Sequence, residues 1–374
     1  MKNILIVIFI LFSLISLGQP DYRNIDEKYK TVPVSLTTVE NIADYLTKDL
    51  NSDTEKVRAL YVWITHNLEY DVSQIYGERR YVATEDIINE ALVTRKGVCQ
   101  HYSDLMTAMC NSIGITSYTI IGYVLDGDSG MFDYDHAWNG IIIDSGYYFV
   151  DATWSSGFIS RGRFVPKFTD EFFMVKPEEF IKTHMPFDPV WQFLDNPVTN
   201  REFAGKDFSN TLISGNFNYK DIIEGLPALD VATELEESNK RIISMGVTND
   251  LIREHLDYNM FRLVIAEFNT AVEALNFGIS NFNKYLDHKN NNFQDPGVDG
   301  LKIRDMLVNA EAGIYYAHNV LYSLDSHDEE ISNAIEQTKK LTPKLISDLK
   351  KEKEYIERHI KIWRALKSVS VLIL

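Results

Sequence analysis

The chain has only two cysteines in 374 residues, Cys99 and Cys110, and neither belongs to a C-x-x-C pair. That scarcity excludes a disulfide scaffold and any zinc site built on paired thiolates. No H-E-x-x-H run occurs, which removes that zinc-protease pattern as well. Positive charge is also short, since 37 Lys and Arg stand against 54 Asp and Glu for a net charge of −17. This balance opposes nucleic acid and anionic membrane surfaces as partners, and no basic cluster interrupts it. Long apolar runs are nearly absent. The one candidate, residues 4–17, falls short of the roughly 20 residues that a spanning helix needs.

That run has its own meaning. Lys2 precedes it, and the small residues Ser16 and Gly18 close it before Gln19-Pro20. Basic, apolar and small in that order is the build of a secretory signal peptide, here residues 1–18. The expectation is therefore a secreted or periplasmic protein with no stable membrane insertion after cleavage. No cysteine follows the run, which excludes attachment through a lipidated N-terminal cysteine. The apolar ending, residues 369–374, is too brief to span.

With 45% hydrophobic and 24% charged residues, the chain can bury two ordinary cores. Apolar spacing predicts amphipathic helices over residues 36–49 and 53–68, the second opened by Ser52-Asp53 as a capping signal. A further helix follows Gly97, with apolar positions at Tyr102, Leu105, Met106, Met109, Cys110 and Ile113. Strands are predicted at about residues 117–125, 136–143 and 147–152, the last two forming a hairpin around the turn residues Asp144-Ser145-Gly146. From Pro186 the pattern breaks, and Pro189, Pro197 and Ser214-Gly215-Asn216 mark a connection. Beyond it, residues at helical spacing run through 261–286, 303–324 and 329–366, with a break at 290–300. This second part reads as a bundle of three or four long helices. The expected division is a signal peptide at 1–18, an α+β domain at 19–205 with helices packed on an antiparallel sheet, and an all-α helical bundle at 206–374.

Three short segments hold the chemistry: Gly97-Val98-Cys99, Asp135-His136-Ala137-Trp138-Asn139 and Val150-Asp151-Ala152-Thr153-Trp154. They supply a thiol, an imidazole and a carboxylate, which suit a nucleophile, the base that activates it and the group that orients the base. Cys99 falls at a helix N-terminus, where the macrodipole and unpaired N–H groups favour an anion. His136 near the start of one hairpin strand and Asp151 near the end of the other are brought side by side by the antiparallel pairing.

On these motifs, and on the upstream pattern from Ala59 through Trp63 to Asp71, the chain resembles the transglutaminase-like superfamily over residues 35–165, and its bacterial secreted members in particular. The resemblance implies a papain-like fold with Cys99 as nucleophile, His136 as general base and acid, and Asp151 as the orienting carboxylate. It also implies acyl transfer from a protein or peptide amide, by hydrolysis, deamidation or cross-linking. Hydrolysis is favoured because water is abundant and no acceptor-amine site can be identified.

Plainer roles stand beside these. Cys110, eleven residues beyond Cys99, lies about 16 Å along the same helix, so the two cannot pair and Cys110 is expected to pack in the core. His136 could be an ordinary strand histidine, and Asp151 a turn cap. A metal site from Cys99, His101, Cys110 and His136 lacks short ligand spacing, and no metal or cofactor is expected. The acidic stretch Asp126-Gly127-Asp128-Ser129-Gly130, with Asp133 and Asp135, lacks the closing Glu of a calcium loop and is expected to be a solvated loop. Trp63 is expected in the core, while Gln100 and His101 fit either a pocket wall or an exposed first turn. The Cys99 N–H is one candidate oxyanion donor, with the second unassigned. The bundle carries no catalytic constellation and is left a structural or protein-partner role. The rival to an enzyme is a scaffold or binding module that keeps the fold without turnover.

Overall fold

The computed structural model describes residues 21–74, 83–125, 135–209, 211, 215–293 and 300–370. The signal-peptide segment lies outside the described residues, as does the acidic loop except for Asp135. Among the described residues no helix is long and apolar enough to cross a membrane.

The chain forms two compact units, residues 1–186 with 191–194, and residues 187–190 with 195–374. The division falls earlier than the 205/206 boundary that the sequence suggests. Asn200 is the reason: its side chain donates to the carbonyls of Met245 and Gly246, which ties the segment around it to the second unit.

In the first unit, helices α1 (Val39–Thr47) and α2 (Asp53–Asn67) are followed by α3 (Cys99–Ser112). The Ser52-Asp53 signal works as a capping box: Ser52 Oγ accepts from the Glu55 N–H at 3.3 Å, and the Glu55 carboxylate accepts from the Ser52 N–H at 3.2 Å. Such a cap contributes about 1 kcal/mol. Every residue of α2 from Val57 to Thr65 is buried, so this helix runs through the core and has no solvent face over that stretch. Arg58, within that stretch, keeps its charge because Asp26 accepts from Nε at 2.7 Å and from Nη2 at 2.6 Å, and Asp170 also accepts from Nη2 at 2.6 Å. Around it, Leu60, Trp63 and Ile64 pack with Leu105, Met106 and Met109 of α3.

The sheet has four antiparallel strands, β1 (Ser117–Val124), β2 (Asp135–Ile143), β3 (Gly146–Val150) and β4 (His184–Pro186), in the order β3-β2-β1-β4. The β2–β3 hairpin matches expectation. Strand β4 is not readable in advance because three residues carry no period. Also beyond the sequence reading are a helix at Thr84–Thr94 and the hairpin of Gly157–Ser160 with Arg163–Pro166.

The second unit is helical, with α4 (Val231–Ser244), α5 (Asp250–Asn290), α6 (Gly300–Ser323), α7 (Glu329–Lys339) and α8 (Thr342–Ser370) among its elements. The third helical stretch, 329–366, is two helices, because Pro343 has no N–H for the Lys339 carbonyl. The Thr342 hydroxyl takes that carbonyl instead, at 3.0 Å, and the helix restarts.

Gly122 on β1 decides how the sheet closes. It pairs with His136 of β2 on one side and Pro186 of β4 on the other. A Cβ there would meet the Met185 carbonyl oxygen at 2.1 Å and Trp138 Cη2 at 2.5 Å, so only a bare position admits both neighbours. Gly122→Ala should lower the unfolding free energy by about 2 kcal/mol in urea denaturation, as overpacking does in a tight core. An unchanged midpoint would contradict this packing.

Candidate active site

Cys99 is the first residue of α3, after Val98 in an extended conformation. At that position its N–H has no acceptor within the helix. The turn before it is held by a histidine: the Val98 N–H donates to His101 Nδ1 at 3.2 Å. A Cβ on Gly97 would meet His101 Cγ at 2.4 Å, so the glycine makes room for this capping imidazole. His101 is buried rather than exposed. Gln100 is tethered as well, donating to Asp104 Oδ2 at 2.8 Å, while the Thr119 hydroxyl donates to Oδ1 at 2.8 Å. Burial raises the Asp104 carboxyl above its usual range, with both donors opposing the shift.

The two thiols differ sharply in setting. Both are free, with Cys99 partly exposed and Cys110 fully buried further along α3. Burial pushes the Cys110 thiol up to about 12, which leaves it a core residue as expected.

His136 enters from the start of β2, and its Nε2 donates to Asp151 Oδ2 at 2.7 Å. With Nε2 committed to Asp151, Nδ1 is the nitrogen left to take a proton from Cys99, whose side chain interacts with the imidazole. Both groups are nearly or wholly out of solvent, His136 at 2% exposure and Asp151 at 0%. Burial alone would lower the imidazole's proton affinity. The Asp151 charge and hydrogen bond, with the Cys99 contact, outweigh it and hold His136 well above its ordinary value. For Asp151 burial pushes up, but His136 and then His184 pull the carboxyl well below the usual carboxylate range. Asp151 also caps a turn, as the plainer reading had it. Its Oδ1 accepts from the Thr153 N–H at 2.8 Å and the Trp154 N–H at 3.0 Å. The cap and the histidine contact use different oxygens of one carboxylate. Trp154 lies over the pair, its ring stacked on His136 with centroids 5.4 Å apart.

His184 on β4 is the site residue that the sequence did not point to. Its Nε2 lies 3.3 Å from Asp151 Oδ2, its Nδ1 lies 2.7 Å from Thr183 Oγ1, and it is fully buried. The pairing of β4 with β1 puts it opposite Val124, two residues from Gly122, which faces His136. Only that register, closed by a strand of three residues, brings the two histidines within 5.7 Å of each other.

Among the described residues, His136, Asp151 and His184 form the one group whose ligand atoms converge, within 4.8 Å. Tetrahedral coordination at about 2.0–2.1 Å spaces neighbouring ligand atoms by about 3.3 Å. The 2.7 Å His136–Asp151 contact is instead the length of a charge-assisted hydrogen bond. The other quartet considered from the sequence does not assemble, since His101 is spent on the cap and Cys110 is in the core. Trp63 is also in the core, with the Arg95 guanidinium 4.7 Å from its ring centre.

Residues 40–152 match the model of the transglutaminase-like superfamily, and the first unit has a transglutaminase-like core of antiparallel sheet and helices. The chain is 31% identical to kyphoscoliosis peptidase of Mus musculus over 190 residues, 49% of this chain and 28% of that protein. The same protein of Homo sapiens is 30% identical over 196 residues, 50% of this chain and 29% of that one. The match thus spans less than a third of these relatives' length, and both are eukaryotic. Among solved structures, the periplasmic domain of TgpA from Pseudomonas aeruginosa is 21% identical, covering 35% of this chain and 47% of its own, with a TM-score of 0.26.

The cluster sets a pH profile for stability. Burial and the His136 charge hold His184 below its ordinary value against the pull of Asp151. Unfolding therefore takes up a proton at His184 below pH about 6.5, and stability falls with pH there. His136, raised, contributes stability that is full below about 6.5 and is lost as pH rises through its folded value. Asp151, depressed, contributes stability above about 3.9 that is lost on further acidification. Unfolding midpoints should peak near pH 6.5, with slopes of at most about 1.4 kcal/mol per pH unit for each group. In His184→Phe the slope between about pH 6 and pH 4 should shrink; an identical acid slope would contradict the assignment.

Proposed function

We propose that this chain is a cysteine-dependent acyl-transfer enzyme that hydrolyses protein or peptide amides through a thioester on Cys99. The observation that carries the reading is the imidazole of His136, whose Nε2 donates at 2.7 Å to the fully buried Asp151 and which interacts with the partly exposed Cys99 at the head of α3. Such an arrangement passes the thiol proton to His136 and stabilises the resulting imidazolium against the Asp151 charge. The relatives named as peptidases support it, although they extend far beyond the shared segment.

In the reaction, the Cys99 thiolate attacks the amide carbonyl carbon, forming the C–S bond and placing charge on the carbonyl oxygen. The Cys99 N–H at the head of α3 is oriented by the helix to receive that charge. The His136 imidazolium gives its proton to the departing amine as the C–N bond breaks, leaving the thioester. Water then adds to the thioester carbonyl, losing its proton to His136, and collapse releases the acid and restores the thiolate–imidazolium pair. Asp151 holds the ring in one orientation throughout, and Trp154 stacks on that ring. The same proposal places the enzyme outside the cytoplasm, on the order of residues in segment 1–18.

An ordinary thiol with a pKa of about 8.5 is almost wholly protonated at pH 6. Iodoacetamide at pH 6 should label Cys99 about tenfold or more faster than a free thiol, with the site assigned by peptide mass. His136→Ala should abolish the excess, and Cys110 should stay unlabelled. Labelling that tracks a free thiol, indifferent to His136, would overturn the enzyme reading and leave a scaffold.

A further inference from the structure

His184 is an imidazole where an apolar ring would pack as well. It stacks on Phe180 at 4.0 Å between ring centres and lies 4.6 Å from Trp154 and 5.1 Å from Trp138. Burying a polar ring in such a box is unfavourable unless both nitrogens are satisfied. They are: one meets Thr183 and the other Asp151.

The carboxylate settles which nitrogen carries the proton. An ionised carboxylate only accepts, so Nε2, 3.3 Å from Asp151 Oδ2, carries the N–H, and the reverse tautomer would set a lone pair against that oxygen. Nδ1 is then an acceptor, and the Thr183 hydroxyl 2.7 Å away is the group that can donate to it, in preference to its 3.3 Å contact with the Phe180 carbonyl.

We propose that Thr183 and His184 form a positioning arm behind Asp151, in which the threonine hydroxyl fixes the Nε2–H tautomer of His184 and that N–H anchors Oδ2. This rests on the acyl-transfer reading of Cys99, His136 and Asp151, and it names two residues that act on the site through the carboxylate. Two backbone N–H groups pin Oδ1 and His184 pins Oδ2, so the plane of the carboxylate is set independently of His136. His136 then meets an acceptor already in place, and its ring is aimed at Cys99.

The test combines imidazole ¹⁵N NMR with Cys99 labelling at pH 6 in the full chain, comparing wild type, His184→Phe, His184→Gln, Thr183→Val and His136→Ala. The wild-type spectrum should show His184 as the neutral Nε2–H tautomer. His184→Phe, which keeps the ring stack, should slow labelling by about tenfold, the lower end of what losing an orienting partner costs. His184→Gln, whose amide can donate to Oδ2, should recover most of the rate. Thr183→Val should let the His184 tautomer signal shift and slow labelling in the same direction. If His184→Phe does not fold by near-ultraviolet circular dichroism, Thr183→Val decides. An Nδ1–H tautomer in the wild type, or wild-type labelling in folded His184→Phe or Thr183→Val, overturns the arm. If His136→Ala alone slows the reaction, only the arm fails; if His136→Ala changes nothing, the acyl-transfer reading fails and takes the arm with it.

Discussion

A carboxylate with no solvent exposure is the fixed point of this molecule. Asp151 receives two backbone N–H groups on one oxygen and two imidazoles on the other. An isolated charge in that position would be strongly destabilising, so the surrounding chain must deliver its donors accurately. Much of the first unit's architecture follows from this requirement. The hairpin carries His136 near the start of β2 and Asp151 just past the end of β3, the short helix after Asp151 turns its first N–H groups back onto the carboxylate, and β4 brings His184 from the far side of β1. Gly122 sits between the two histidine-bearing strands, and its missing side chain lets them close with Trp138 packed against them.

Thiol placement is a separate problem with a separate solution. Cys99 is held by the end of α3, whose cap is a histidine and whose first turn is tied through Gln100 to Asp104 and Thr119. One side of the site is therefore fixed by helix-end chemistry and the other by sheet register. Hydrogen bonds between α3 and the sheet hold the two together: Asn139 Nδ2 donates to the Ser103 carbonyl at 2.8 Å, and the Thr119 hydroxyl to Asp104 at 2.8 Å. This division explains why the two cysteines of one helix differ so much, one at an open helix head and the other sealed among Met109, Leu105 and the α2 side chains.

How far the sequence could be read follows the same split. Motifs local in the chain were legible: the Ser52 cap, the helix after Gly97, and the hairpin with the contact of His136 and Asp151. His184 was not, because its strand has three residues and its partner is 33 positions away, a relation that only sheet order creates. The role of His101 was equally hidden, since a histidine three residues after an N-cap looks the same in sequence whether it caps or faces solvent. In the bundle, apolar spacing located the helical stretches but read through Pro343, where the lost N–H restarts the helix. The compact units divide earlier than 205/206 through contacts that are long-range in sequence, those of Asn200 with Met245 and Gly246.

The most direct test is whether Cys99 carries the acyl group. Brief incubation with p-nitrophenyl acetate, an activated ester that demands little substrate specificity, followed by acid quench and peptide mass mapping, would locate any thioester. The account predicts an acetyl group on the Cys99 peptide that hydroxylamine removes and that does not form in His136→Ala. Acetylation confined to lysines, or equal at Cys99 with and without His136, would contradict it.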